Sequence, residues 1–131
     1  MEKLELSELK HPWMREELVD YLDGLANQEY QEQAWVKGEF PNGGYDELDY
    51  TIHFLYDDTN LGSNPYSEIG FILISADEAE KILTLVRSID SIFNMYGLGL
   101  DDKDYIEKPE WSYVVAAATV ASEYLKRAST D

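Results

Sequence analysis

The sequence has no cysteine among its 131 residues. Disulfides and thiolate metal sites are therefore excluded. It is also short of positive charge. Ten Lys and Arg stand against 27 Asp and Glu, for a formal net charge of −17. Duplex nucleic acid and anionic membranes both demand basic patches, so neither is expected as a partner. No long apolar run exists. Residues 69–74 and 114–121 are the best stretches, far below the ~18 residues of a membrane span. The first 25 residues lack the basic start and apolar run of a secretory leader, so a cytoplasmic location is the expectation.

Catalytic signatures are missing as well. There is no Gly-x-Ser-x-Gly elbow, no His-Glu-x-x-His helix and no Cys–His pair. Asn42-Gly43-Gly44 is not followed by the Lys-Ser/Thr of a phosphate-cradling loop. The chain is expected to be no enzyme and to carry no cofactor and no metal.

What is present is enough for one core. A hydrophobic fraction of 44% and 13% aromatics favour a folded chain over a disordered one. The length fits a single globular domain over residues 1–131, with short frayed termini. Periodicity predicts an all-α fold, a compact bundle of about five or six helices. Pro12 opens the first helix, with Trp13, Leu18, Val19, Leu22 and Leu25 approximating one face. Asn27 reads as a break and a fresh N-cap. A second helix runs over about 28–37, with Tyr30, Ala34 and Trp35 inward, and stops at Gly38 with support from Pro41. Residues 40–44 read as a loop.

Residues 46–58 are ambiguous, since Tyr50, Ile52, Phe54 and Tyr56 alternate as in a strand. Leu48, Ile52 and Leu55 keep helical spacing behind Asp46 as a cap, and helix is preferred. The alternative is an α+β fold with a hairpin from 50–56 and 69–74. Ser75-Ala76-Asp77-Glu78 matches a capping box, in which Ser75 caps the third amide and Glu78 reaches back. Ala79, Ile82, Leu83, Val86, Ile89, Ile92, Phe93 and Tyr96 then hold the helical period up to Gly97. Asp101 caps a short turn holding Tyr105 and Ile106. Pro109 starts the last helix, which buries Trp111, Val114, Val115, Ala118, Ala121 and Leu125.

Two constellations invite a functional reading. Asp57-Asp58 follows an apolar segment, but adjacent residues diverge and no calcium-loop spacing is present. A pocket near Asp57, Asp58 and His53 is the alternative site, for a small ligand-binding domain or enzyme. His53 is expected to be partly buried, and His11 exposed. The second constellation lies between residues 39 and 58, which hold six acids and no base. Aromatic residues are interleaved with them. Aromatic anchors inside a negative rim suit a protein interface that steers a basic partner. Glu39, Tyr45, Asp46, Glu47, Asp49, Asp57 and Asp58 are the candidate partner-binding residues.

The order Tyr30-Gln31…Trp35, Leu55-Tyr56-Asp57-Asp58-Thr59, Asn64-Pro65, Ile69-Gly70…Leu73, Glu78-Ala79 and Tyr105…Pro109-Glu110-Trp111 resembles a family of small acidic bacterial proteins with no assigned activity. The likeness spans about residues 15–125 and implies no catalytic residues. In charge and size, though not in motif, the chain is also similar to immunity proteins that neutralise toxins. The expected function is therefore an acidic protein-binding module, an immunity-type inhibitor of a basic toxin domain such as a nuclease.

Overall fold

A computed structural model describes residues 3–40 and 43–130, with the side chains of 129 and 130 left aside. Pro41 and Asn42 of the expected loop, and residues 1, 2 and 131 of the expected frayed ends, lie outside it. Short-range signals start and stop most helices. Pro12 takes the first position of α1 (Pro12–Ala26), where its missing N–H costs nothing. Leu18, Leu22 and Leu25 follow at helical spacing and are fully buried. Trp13, expected on that face, is instead 60% exposed. At the first turn of α1 it stacks against His11, at 5.3 Å between ring centres.

The Asn27 side chain accepts from the Tyr30 amide at 3.0 Å and starts α2 (Gln28–Tyr30). α2 widens into a π-helix over Gln31–Val36 and is closed by Gly38, whose φ of +70° suits glycine. α3 (Leu48–His53) also widens into a π-helix, over Phe54–Asp58, so the ambiguous segment is helical. Its cap is not local. Asp46 does not cap it; the Leu48 amide donates to the carboxylate of Asp102 at 3.0 Å, from a later helix.

A 3₁₀ turn over Pro65–Glu68 leads into residues 69–74, which fold as a turn closed by one bridge between Ile69 and Leu73. No strand occurs among the described residues, and the hairpin alternative is excluded. α4 (Ala76–Tyr96) is one unbroken helix of 21 residues ending at Gly97. α5 (Asp102–Ile106) is short, and α6 (Trp111–Thr130) begins two residues after Pro109. α6 remains helical through Thr130, where fraying was expected. Six α-helices among the described residues thus make the all-α bundle.

α6 packs along both α1 and α4. Ala118 and Ala121 sit fully buried in that seam and permit close approach, whereas Ala116 faces solvent. Leu18, Leu22, Ile82, Leu85, Val114 and Leu125 join the same core. Burying each of these larger side chains stabilises the fold by roughly 1.5–3 kcal/mol.

Polar staples are threaded through this core. The Ser75 hydroxyl accepts from the Glu78 amide at 3.2 Å, as expected. The reciprocal half of the capping box is absent. The Glu78 carboxylate turns inward, accepting from the Ile74 amide and from Arg15 of α1. Gln31 is fully buried. Its amide nitrogen donates to the carbonyls of Gly24 and Leu25, both at 2.9 Å, and its oxygen accepts from Trp111 Nε1 at 2.9 Å. That one side chain ties the end of α1 to α2 and α6, and satisfies helix-end carbonyls.

Candidate functional site

A recess of about 730 Å3 lies where α2, α3, the C-terminal end of α4 and α5 converge. Its floor is apolar, from Trp35, Leu48, Ile52, Phe93 and Leu100. Leu98 overhangs it with 78% of its surface exposed. Four carboxylates bound it: Glu47 and Asp49 from the α3 end, Asp101 and Asp102 from the α5 end. Lys103 is the one base in the lining, and it is already paired with Glu107 at 3.0 Å. The groove is therefore electrically unbalanced.

Its walls are held by side-chain bonds. The Tyr105 hydroxyl donates to the Gly97 carbonyl at 2.5 Å and accepts from the Leu100 amide at 3.3 Å, which fixes the link carrying Leu98. Phe93 meets the Tyr105 ring edge-on at 5.5 Å. Asp102 is half-buried, and burial raises its pKa, with the charges of Glu47, Asp49 and Asp101 adding to the rise. The bond from the Leu48 amide opposes that shift without cancelling it.

An aromatic shelf stands beside this rim. Tyr45 is 61% exposed and Tyr50 43%. Their rings meet edge-on at 5.7 Å, and Phe40 backs Tyr45 at 5.4 Å. The Tyr45 hydroxyl donates to Glu47 Oε2 at 2.6 Å. That bond, more than any other influence, raises the tyrosine pKa. The shelf and the groove rim thus share Glu47.

The seven residues picked from sequence do not form one surface. Glu47 and Asp49 line the groove, and Tyr45 joins it through Glu47. Asp46 points elsewhere. It is half-buried, accepting from the Tyr30 hydroxyl at 2.5 Å and from Trp35 Nε1 at 3.0 Å. Burial and this bond push the Tyr30 pKa well up. Glu39 is exposed beyond the end of α2. Asp57 and Asp58 line a separate recess of about 280 Å3 beside His11, Ser67, Glu68 and Phe71.

His53 is not in that recess. It is exposed, not partly buried as expected, and its Nδ1 lies 2.5 Å from Asp57 Oδ2 across one helical turn. His11 is half-buried rather than exposed, held against Trp13 and Phe71. The local bonding around Asp58 falls on Thr59. Its hydroxyl shares its proton between the carbonyls of Phe54 and Leu55, and accepts from the Leu61 amide. Among the described residues, no cluster of three or more His, Asp or Glu is disposed to hold a metal ion.

Sequence reading missed Phe93, Leu98, Leu100, Asp101 and Asp102. The signal was present in Leu98-Gly99-Leu100-Asp101-Asp102, where apolar residues abut acids. It escapes a local reading because its partners, Glu47 and Asp49, come from a remote part of the chain.

The residues behind the sequence resemblance are largely framework. Tyr30, Trp35 and Trp111 form an edge-on aromatic chain with centres 6.5 and 6.4 Å apart. The Tyr56 hydroxyl donates to Asp90 at 2.7 Å, and Glu78 binds Arg15. The family described as Domain of unknown function (DUF7945) matches residues 9–131, and the chain belongs to that family. No curated protein and no solved structure matches it.

Proposed function

We propose that this member of a family without an assigned activity is an acidic protein-binding module that docks a basic partner in the groove between α3 and α5. The observation that carries the reading is the groove's imbalance: four rim carboxylates over an apolar floor, with its single base already neutralised. Apolar contacts supply affinity, while the rim steers encounter and suppresses wrong partners. The finer form of the reading is an immunity-type inhibitor of a basic toxin domain such as a nuclease. An enzyme that grips phosphates needs a positive cleft, and a −17 partner is drawn to it at rates approaching 10⁸–10⁹ M⁻¹s⁻¹, as an order of magnitude at low salt.

Two charge-matched variants test the docking site. One carries Glu47→Gln, Asp49→Asn and Asp101→Asn. The other carries Glu16→Gln, Glu17→Gln and Glu123→Gln, all exposed and outside the groove. Both remove three negative charges. The probes are a captured partner and a short amphipathic peptide of arginine and leucine, followed by surface plasmon resonance. The groove variant is expected to slow association about tenfold at low salt, and the control far less. Equal slowing would reduce the acidity to long-range attraction and defeat the site assignment.

A further inference from the structure

Acidity selects a cation but does not choose between arginine and lysine. The surroundings of Glu47 do. Glu47 lies at a junction: it lines the groove and accepts the Tyr45 hydroxyl at 2.6 Å. Tyr45 and Tyr50 present ring surface to solvent next to that carboxylate, and Phe40 supports Tyr45 from behind. Of the cationic side chains, Lys10, Lys81 and Lys108 lie over the rings of Phe71, Tyr124 and Tyr96. Among the described residues, no such pairing falls on Tyr45 or Tyr50. The nearest base in the groove, Lys103, is engaged with Glu107.

Resting on the docking reading above, we infer that the groove anchors its partner through an arginine stacked on the Tyr45–Tyr50 shelf, with its guanidinium directed at Glu47. Three properties of arginine fit. Its planar guanidinium stacks on aromatic faces, it forks onto a carboxylate, and it is weakly hydrated, so entering a half-buried rim costs it less than it costs an ammonium. A lysine ammonium also sits over rings, as it does elsewhere in this protein, but it neither stacks flat nor forks onto a carboxylate, and it holds its water more strongly. The apolar floor beyond Glu47 takes the residues next to the arginine, so the occupant is an arginine-bearing amphipathic segment of a partner protein. The Tyr45 hydroxyl bond fixes the ring before binding, which limits the entropy lost on docking.

The probes are the arginine–leucine peptide and its twin with lysine at every arginine, titrated calorimetrically at physiological salt. The arginine peptide is expected to bind about fivefold tighter or more. Tyr45→Leu or Tyr50→Leu should erase most of that preference while leaving salt-dependent binding of both peptides. Tyr45→Phe, which keeps the ring and loses the tie to Glu47, should keep most of it. Far-ultraviolet dichroism confirms folding, and if one leucine variant fails to fold the other carries the test. Equal affinity of the two peptides for the unmodified protein overturns the arginine anchor and leaves the docking reading standing. A preference that survives in both leucine variants overturns the shelf as its source. Binding of neither peptide overturns the anchor and the docking reading together.

Discussion

Arg15 of α1 and Glu78 of α4, 63 positions apart in sequence, form a two-pronged ion pair inside the protein, with Nη1–Oε1 at 2.8 Å and Nη2–Oε2 at 2.6 Å. Glu78 is completely buried and Arg15 nearly so. The remaining lone pairs and protons are mostly used. Glu78 Oε1 also accepts from the Ile74 amide, and Arg15 Nη1 also donates to the Ile72 carbonyl. Arg15 Nε alone has no partner. The pair therefore clamps α1, the 69–74 turn and the start of α4 together.

Breaking that clamp from one side should be costly. Glu78→Leu or Arg15→Met leaves a buried charge unpaired, and each is expected to lose about 3–5 kcal/mol in urea unfolding. The double variant should recover most of the loss, because two well-packed apolar side chains need no charge partner. A double variant as unstable as the sum of the singles would mean that the backbone bonds, not the pairing, dominate.

Asp46 should behave as a structural acceptor. Asp46→Ala strands the Trp35 indole N–H and the Tyr30 hydroxyl in half-buried positions, at a cost of about 1–3 kcal/mol. Ultraviolet titration gives a second readout. Tyr30 ionises above its ordinary value, from burial first and Asp46 second. Asp46→Asn should bring it part of the way down, since burial persists. No movement would remove Asp46 from the account.

Gly62 is required by space. A β-carbon there would sit 2.6 Å from the Tyr56 ring and 2.9 Å from the Leu55 carbonyl oxygen. The Gly62 amide is itself bonded to that carbonyl at 2.7 Å, so the chain has no slack. Gly62→Ala should destabilise by about 1–3 kcal/mol, as overpacking does. A neutral effect in thermal unfolding would show that Tyr56 swings aside freely, despite its bond to Asp90.

The crowding at Asp102 makes a pH-dependent prediction. Its pKa is raised on folding, so the folded state holds the proton more tightly than the unfolded chain. Stability from this group is thus full below the unfolded value and is lost as pH rises through the folded one. Asp102→Asn keeps an acceptor for the Leu48 amide and removes the charge. It should raise the Tm at pH 7 by on the order of 1–3 °C, a modest gain because water screens the site. The gain should vanish on acidification toward the ordinary carboxylate range. A loss of Tm at pH 7 would mean that the charge helps to cap α3.

Helix positions were largely legible in the amino-acid order, because their causes act within a turn or two. Pro12, Asn27, Gly38, Ser75 and Gly97 start or stop helices through their own backbone or nearest amides. Leu18, Leu22, Ile82, Val86 and Ile89 are buried at the spacing that predicted them. Net charge, the absence of thiol chemistry and the all-α class follow from the sequence in the same way. The fate of individual polar groups does not. Asp46 and Glu47 are neighbours, yet one binds Tyr30 and Trp35 while the other opens onto the groove. Asp102 caps a helix 54 positions earlier, and Gln31 meets Trp111 across 80. A carboxylate's role depends on what packs against it, and those neighbours come from distant segments. Sequence alone therefore determined where the helices run and which sign of charge they carry. The tertiary structure alone decided which acids became staples and which were left facing one groove, because burial and electrostatic crowding arise only when remote elements meet.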